Sequence, residues 1–139
     1  MRTCLIDTGP FVAYLHRKDP VHEDVAGFID SFKGQLATTA AVVGEVMYFV
    51  SELPKGPISF AQLLIASDVR IVESMQPPQI LRAAELMSKY ADTPMDFADA
   101  TLVLLAEEIG VTEILTLDRR GFSTYRTAKG KRFHLILET

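Results

Sequence analysis

The chain has 139 residues, of which 48% are hydrophobic and 23% are charged, a composition typical of one globular domain that excludes a disordered chain. Its 14 Lys and Arg residues against 18 Asp and Glu residues leave a formal net charge of −4, which by itself counts against a nucleic-acid partner. The single cysteine, Cys4, excludes an internal disulfide and a Cys-based metal site. No apolar run approaches the roughly 18 residues needed to span a bilayer. We therefore expect a soluble, cytoplasmic protein.

Short β-prone segments alternate with segments of helical periodicity along the chain. The predicted strands cover residues 3–6, 35–38, 69–73, 113–117 and 133–137. The predicted helices cover residues 11–17, 21–32, 40–51, 58–66, 78–90 and 97–109. Because strands that alternate with helices imply parallel crossovers, the pattern predicts a three-layer α/β/α sandwich with a central parallel sheet of four or five strands.

Two aspartates directly follow predicted strands. Asp7 follows the first strand and precedes Gly9, and Asp118 follows the fourth strand. Ligands of open parallel sheets bind beyond the carboxyl ends of the strands. Each aspartate alone is explained equally well as a turn cap, so the two positions are candidates for a site rather than proof of one.

Glu45 is the only charged residue between Ala40 and Val50 in the third predicted helix. The residues one turn before and after it are apolar or aromatic: Ala41, Val42, Tyr48 and Phe49. A carboxylate on an apolar helix face costs several kcal/mol unless a cation or hydrogen-bond donors compensate for it. We therefore predict a functional role for Glu45, and the alternative is a side chain that merely reaches water at the helix end.

Asp96 and Asp99 lie at the start of the sixth predicted helix. Asp96 suits the N-cap position, where its side chain would accept a hydrogen bond from the backbone of the first turn. Asp99 lies one turn later, and its helical neighbours Met95, Leu102 and Val103 are apolar, which places another acid on a core-facing side. Because one turn separates the two aspartates, Asp96 is also a candidate accessory metal ligand.

Convergence of Asp7, Glu45, Asp99 and Asp118 would require compensation of their charges. Two carboxylates about 5 Å apart repel by roughly 3 kcal/mol at an effective dielectric constant near 20, so either some protonate or hard cations neutralise them. Ligation by oxygen alone suits Mg²⁺ or Mn²⁺, which serve in metal-assisted phosphodiester hydrolysis. The spacing of the three histidines argues against zinc: they are His16, His22 and His134.

Four motifs in this order resemble those of the PIN-domain ribonucleases, and most closely the VapC-type toxins of toxin–antitoxin pairs. They are residues 5–9, Glu45 within a helix, residues 97–100 and residues 116–122. The resemblance implies a single PIN domain over residues 1–139 that hydrolyses RNA with Mg²⁺ or Mn²⁺ held by Asp7, Glu45, Asp99 and Asp118. It also implies that Thr8 and Thr116 support these acids, that Asp96 is a cap more than a ligand, and that the partners are a small antitoxin and a second copy of the chain.

A basic stretch follows Asp118 and runs to His134. It contains no acid and six Lys or Arg residues: Arg119, Arg120, Arg126, Lys129, Lys131 and Arg132. Phe122, Tyr125 and Phe133 interleave with them, a combination that can neutralise phosphates and stack exposed bases, although a solvated basic loop has the same pattern. Without the four proposed ligands, 14 acids face 14 basic residues (18 − 4 = 14), so the net charge no longer opposes RNA binding.

Other interpretations remain open at this point. The triplet at residues 7–9 also occurs in aspartic proteases, but those enzymes need an all-β frame. A phosphoacceptor domain would need an aspartate at the end of a middle strand, which segment 69–73 lacks. A housekeeping RNA-processing nuclease and a non-catalytic PIN-like binding domain would share the fold. Apolar residues around the turn at 54–57 either pack within the chain or contact an antitoxin or a second copy: Leu53, Ile58, Phe60, Leu63 and Leu64.

Overall fold

The computed structural model describes residues 1–73 and 75–137. The strands are β1 (Thr3–Ile6), β2 (Gln35–Thr39), β3 (Arg70–Val72), β4 (Glu113–Leu115) and β5 (His134–Leu135). The helices are α1 (Thr8–Leu15), α2 (His22–Ser31), α3 (Ala40–Val50), α4 (Gly56–Ala66), α5 (Pro77–Lys89), α6 (Phe97–Ile109) and α7 (Arg119–Thr124).

All five strands form one parallel sheet in the order β3-β2-β1-β4-β5. The chain moves from β1 to β2 and β3 on one side, then crosses to β4 and β5 on the other. Because parallel crossovers are right-handed, this reversal puts the α1–α4 crossovers and the α5–α6 crossover on opposite faces of the sheet. The predicted α/β fold with a parallel sheet of four or five strands is therefore confirmed, and the reversal leaves a crevice beyond the carboxyl ends of β1 and β4.

The core lies on β1 and on the helices that cover it. Cys4, Leu5 and Ile6 are completely buried, as expected for a central parallel strand covered on both faces. Burial and the neighbouring Glu113 carboxylate raise the pKa of the Cys4 thiol to about 12, so this thiol stays protonated. Helix α6 contributes much of the remaining core, including fully buried Leu102 and Val103. Within the described residues, none of the helices is long and apolar enough to cross a bilayer.

Side-chain caps begin the helices that lead away from the sheet. Asp7 accepts a hydrogen bond from the backbone of Thr8 and starts α1, three residues before the predicted boundary. Thr39 caps α3 in the same way through the backbone N–H of Val42. Helix α6 ends at Gly110, whose φ of 69° is the left-handed conformation that glycine adopts readily.

The region after β4 differs from the prediction. The fourth strand ends at Leu115 rather than Leu117, and the fifth is limited to His134–Leu135. A short helix, α7, occupies residues predicted as an irregular basic stretch. Six residues are too few to display a helical period, and Asp118 starts this helix as an N-cap that accepts a hydrogen bond from Gly121 N.

Candidate functional site

The carboxylates singled out in the sequence line one cleft of about 490 Å³ beyond β1 and β4. Its wall contains the predicted acids Asp7, Glu45, Asp96, Asp99 and Asp118. It also contains Thr8, Gly9, Val12, Asp19, Phe49 and Leu117. The structure therefore brings together all four acids of the proposed quartet, although they are up to 111 residues apart in the chain (118 − 7 = 111).

Asp7 is the most deeply buried of these acids, with 6% of its surface exposed. One carboxylate oxygen accepts a hydrogen bond from Thr8 N at 2.8 Å, and the other accepts one from the Thr116 hydroxyl at 2.8 Å. Burial raises the pKa of Asp7 to about 6, and these two hydrogen bonds oppose that rise. The carboxylate is therefore held in one orientation at the end of the central strand.

Thr116 connects the ends of β1 and β4. Its fully buried hydroxyl donates to Asp7 and accepts from the backbone N–H of Asp118 at 3.0 Å. One hydroxyl thus bridges the segments that carry Asp7 and Asp118. The structure places Thr116 where a supporting residue should be, and its catalytic importance remains a prediction.

Asp118 is exposed at the cleft edge, where one of its oxygens accepts from Gly121 N at 3.0 Å. Only glycine fits at position 121 without displacing this carboxylate, because a Cβ there would lie 2.3 Å from Asp118 Oδ2 and 2.9 Å from the Tyr125 hydroxyl. The spacing of Asp118 and Gly121 is a signal that sequence analysis missed. An N-cap residue and a small residue three positions later are typical of a tight first helical turn.

Asp96 and Asp99 form a reciprocal cap at the start of α6. Asp99 N donates to Asp96 Oδ1 at 2.8 Å, and Asp96 N donates to Asp99 Oδ2 at 3.1 Å. Burial, reinforced by the charges of Asp7 and Asp96, raises the pKa of Asp99 to about 8. The capping role of Asp96 is thus observed, whereas its role as an accessory metal ligand stays a prediction.

Glu45 lies half-buried in the wall of the cleft, close to Asp96 and Thr8. Burial raises its pKa, and Asp96 adds to the rise. The Thr8 hydroxyl interacts with the Glu45 carboxylate and lowers its pKa, yet it is buried without a hydrogen bond of standard geometry. Of the apolar and aromatic residues one turn from Glu45, Val42 is buried, whereas Tyr48 and Phe49 are 76% and 53% exposed and do not enter the core.

These acids suit a hard divalent cation. The charges that raise the pKa values of Asp7, Glu45 and Asp99 are those of other carboxylates. Across residues 1–73 and 75–137, no group of three or more Asp, Glu, His or Cys side chains already stands in a metal-holding arrangement. The fit of the cleft to a cation therefore rests on the chemistry of its side chains. Carboxylate oxygens that repel one another are stabilised when they share a Mg²⁺ or Mn²⁺ ion.

The basic stretch divides into exposed and structural residues. Arg119 and Arg120 in α7 are exposed, as are Lys129, Lys131 and Arg132. Arg126 is half-buried, and its guanidinium donates to the carbonyls of residues 123, 124 and 125, each at 2.9 Å. These three contacts stabilise the C-terminus of α7. The stretch therefore presents cationic side chains to solvent, while RNA binding by any of them remains a prediction.

The prediction that Phe122, Tyr125 and Phe133 stack exposed bases is wrong. Phe122 and Tyr125 are fully buried, and Phe133 is 7% exposed. Phe122 packs edge to face against both of the other rings, at centroid distances of 5.1 and 5.4 Å. The alternation of basic and aromatic residues reflects a loop that inserts its rings into the core and leaves most of its charges outside.

Tyr125 holds two parts of the site together, which the sequence did not indicate. Its hydroxyl donates to the carbonyl of Pro94 at 2.9 Å, in the loop that leads to Asp96 and Asp99. The surrounding carboxylates and, above all, burial raise the pKa of Tyr125 well above its ordinary value, so the phenol remains a donor. Helix α7 and the start of α6 are thereby tied to each other.

The chain is similar to known proteins over most of its length. The model of the PIN domain family matches residues 4–128. The chain is 35% identical over 133 residues to ribonuclease VapC26 of Mycobacterium tuberculosis, covering 95% of this chain and 98% of that protein. The crystal structure of Mycobacterium tuberculosis VapC20, described as a toxin that cleaves the sarcin-ricin loop, superposes with a TM-score of 0.75 at 17% identity, covering 85% of this chain and 91% of that one.

Proposed function

This chain belongs to the PIN-domain family, and we propose that it is a Mg²⁺- or Mn²⁺-dependent endoribonuclease, the toxin of a toxin–antitoxin pair. The observation that carries the proposal is the cleft at the β1/β4 reversal, where Asp7, Glu45, Asp99 and Asp118 gather. The chain is similar along nearly its whole length to a protein named as a ribonuclease, and this similarity supports RNA as the substrate.

In the proposed mechanism, Asp7, Glu45, Asp99 and Asp118 would hold the cation, with Asp96 as an accessory residue. A cation bound there would lower the pKa of a water molecule and stabilise charge on the reacting phosphate. The chain's own contribution is orientation: Thr116 and the start of α1 hold the Asp7 carboxylate in place. No side-chain nucleophile is required, because the oxygen of a water molecule forms the new bond to phosphorus while the bond from phosphorus to one ribose oxygen breaks.

The acids also control the pH at which the site can bind a cation. Only ionised carboxylates are effective ligands, and the raised pKa values of Asp7, about 6, and Asp99, about 8, favour protonation in the cation-free protein. A divalent cation reverses this preference by favouring the charged forms. Binding of the cation is therefore expected to release protons and to strengthen as the pH rises from 5 to 8.

The proposal is tested by RNA cleavage with and without EDTA. We expect the wild-type protein to cleave RNA in Mg²⁺ or Mn²⁺ and to be inactive in EDTA, and Asp7→Asn to be inactive in both. Glu85→Gln, which replaces an exposed carboxyl on α5, is the matched control and should cleave normally. Metal-dependent cleavage by pure Asp7→Asn protein at the wild-type rate would contradict the site assignment.

The proposed partners follow from the toxin assignment. They are an RNA substrate, a small antitoxin and a second copy of the chain, all in the cytoplasm. Of the apolar residues around the turn after α3, Phe60 and Leu63 are buried, whereas Ile58 is 63% exposed and remains available to a partner. Co-expression with the product of a neighbouring short open reading frame should restore growth to cells that express the chain. Sedimentation of each protein alone and together would measure the stoichiometry.

A further inference from the structure

The acidic cleft has an aromatic side. Phe49 lines the cleft with 53% of its surface exposed, and its neighbour Tyr48 is 76% exposed. Phe49 lies four residues after Glu45 on α3, so the ring and the carboxylate share one helix face. Half-buried Val12 and Leu117 continue the apolar lining of the cleft. Phe49 thus belongs to the lining of the proposed catalytic site, and Tyr48 extends the exposed aromatic surface next to it.

Tyr48 and Phe49 leave ring surface open to solvent. Their centroids are 5.6 Å apart and their planes meet at 72°, so the rings contact edge to face and do not stack on each other. In such a pair, the ring that presents its edge has neither face covered by its partner. Single exposed apolar residues are common on protein surfaces, but here two exposed aromatic rings contact each other and one of them, Phe49, lines an acidic cleft.

We propose that Tyr48 and Phe49 form a base-stacking platform for single-stranded RNA at the edge of the cleft. The inference rests on the proposed ribonuclease function, since the acids and their cation would hold the phosphate while the neighbouring nucleobase needs an uncharged surface. Phe122, Tyr125 and Phe133 cannot provide that surface because they are buried. Stacking accepts every base, so the platform positions the strand and does not select its sequence.

Binding to matched RNA oligonucleotides tests the platform. One oligonucleotide is single-stranded RNA, and the other has the same phosphates with abasic sites at its centre. Fluorescence anisotropy measures the affinity for both oligonucleotides. The buffer contains Ca²⁺ in place of Mg²⁺, because a hard cation of different coordination geometry is expected to occupy the acids without supporting cleavage of the RNA. We expect Phe49→Ala to weaken binding of the normal RNA roughly 5- to 150-fold, the range for losing one base–aromatic stack. Binding of the abasic RNA should change by less than about twofold, because it has no base to stack.

Three further measurements separate stacking from other effects. Phe49→Tyr should retain most of the affinity and Phe49→Leu should lose it, because only the first keeps an aromatic face. The salt dependence of RNA binding should be the same in wild type and Phe49→Ala, since no charge is removed. Ile65→Ala, at an 80% exposed apolar residue of α4, is the matched control and should bind both oligonucleotides normally.

Each outcome decides between defined alternatives. Equal losses for normal and abasic RNA, or no loss for either, would overturn the platform. An unchanged affinity together with a smaller sedimentation mass for Phe49→Ala would assign the aromatic pair to self-association instead. Wild-type cleavage of RNA in Mg²⁺ alongside normal binding by Phe49→Ala would refute the platform and leave the ribonuclease proposal standing. Failure of the wild type to bind or cleave any RNA would refute both.

Discussion

Replacement of Asp7 by asparagine should stabilise the cation-free protein at alkaline pH, although it removes the proposed activity. Burial raises the pKa of Asp7 from its ordinary 3.8 to about 6. Between these pH values the folded chain keeps a proton that the unfolded chain has released, so the free energy of unfolding falls as the pH rises. Each pKa unit corresponds to about 1.4 kcal/mol, and the full cost of ionised Asp7 is therefore about 3 kcal/mol above pH 6.

Asp7→Asn removes this pH-dependent cost and introduces a smaller constant one. Thr116 loses a carboxylate acceptor, which costs about 1 kcal/mol at every pH. The variant should therefore be slightly less stable than wild type at pH 4 and more stable by about 2 kcal/mol at pH 8. Because the Asp7 charge also raises the pKa of Asp99, wild type should continue to lose stability up to about pH 8, more than the variant does.

Urea unfolding followed by circular dichroism, from pH 4 to pH 8 in EDTA, measures these free energies. Glu85→Gln should follow the wild-type curve because its carboxyl is exposed on α5. Millimolar Mn²⁺ at pH 8 should then stabilise wild type, by about 2.7 kcal/mol at a concentration 100 times the dissociation constant, and have little effect on Asp7→Asn. Parallel pH curves for wild type and Asp7→Asn would refute the burial argument.

Three other substitutions test separate parts of the site. Gly121→Ala should displace the Asp118 carboxylate, because the added Cβ would lie 2.3 Å from Asp118 Oδ2. RNA cleavage should then fall by roughly 100-fold. Unchanged cleavage would show that the position of Asp118 is unimportant. Thr116→Val removes a hydrogen bond that lowers the pKa of Asp7, so the acidic limb of the pH–rate profile, measured at subsaturating Mg²⁺, should move to higher pH. An unmoved limb would contradict the role assigned to Thr116. Arg126→Ala removes three contacts to the end of α7, so it should lower thermal stability without changing the salt dependence of RNA binding; a decrease of about one in the salt slope would instead identify a phosphate contact.

Much of the fold could be predicted because its signals are local. A parallel strand buried on both faces is a short apolar run, and an amphipathic helix repeats within a few residues. β1 and α6 therefore have the bounds that the sequence predicted. Helix α7 lacked such a signal, because one capped turn is shorter than the window in which a helical period can be detected.

The candidate site could be predicted only in part. Asp7 could be identified because it follows a strand, and Asp99 because it lies in the first turn of a helix. Both positions can be recognised from residues close by in the sequence. The interleaved rings of the basic stretch led to an error, because sequence alternation does not say which side of a loop faces the core. Phe122 and Tyr125 are buried, whereas Phe49, on an apolar helix, is 53% exposed.

The sequence by itself determined the residue types of the site, the strand ends and first turns that carry them, and the caps that begin α1 and α6. These depend on contacts within a few residues. Only the tertiary structure decided that β1 lies beside β4, so that one hydroxyl of Thr116 joins the segments of Asp7 and Asp118. It also decided how deeply each acid is buried, and thus how far its pKa rises. Both depend on packing between residues distant in the chain, which local propensity does not encode.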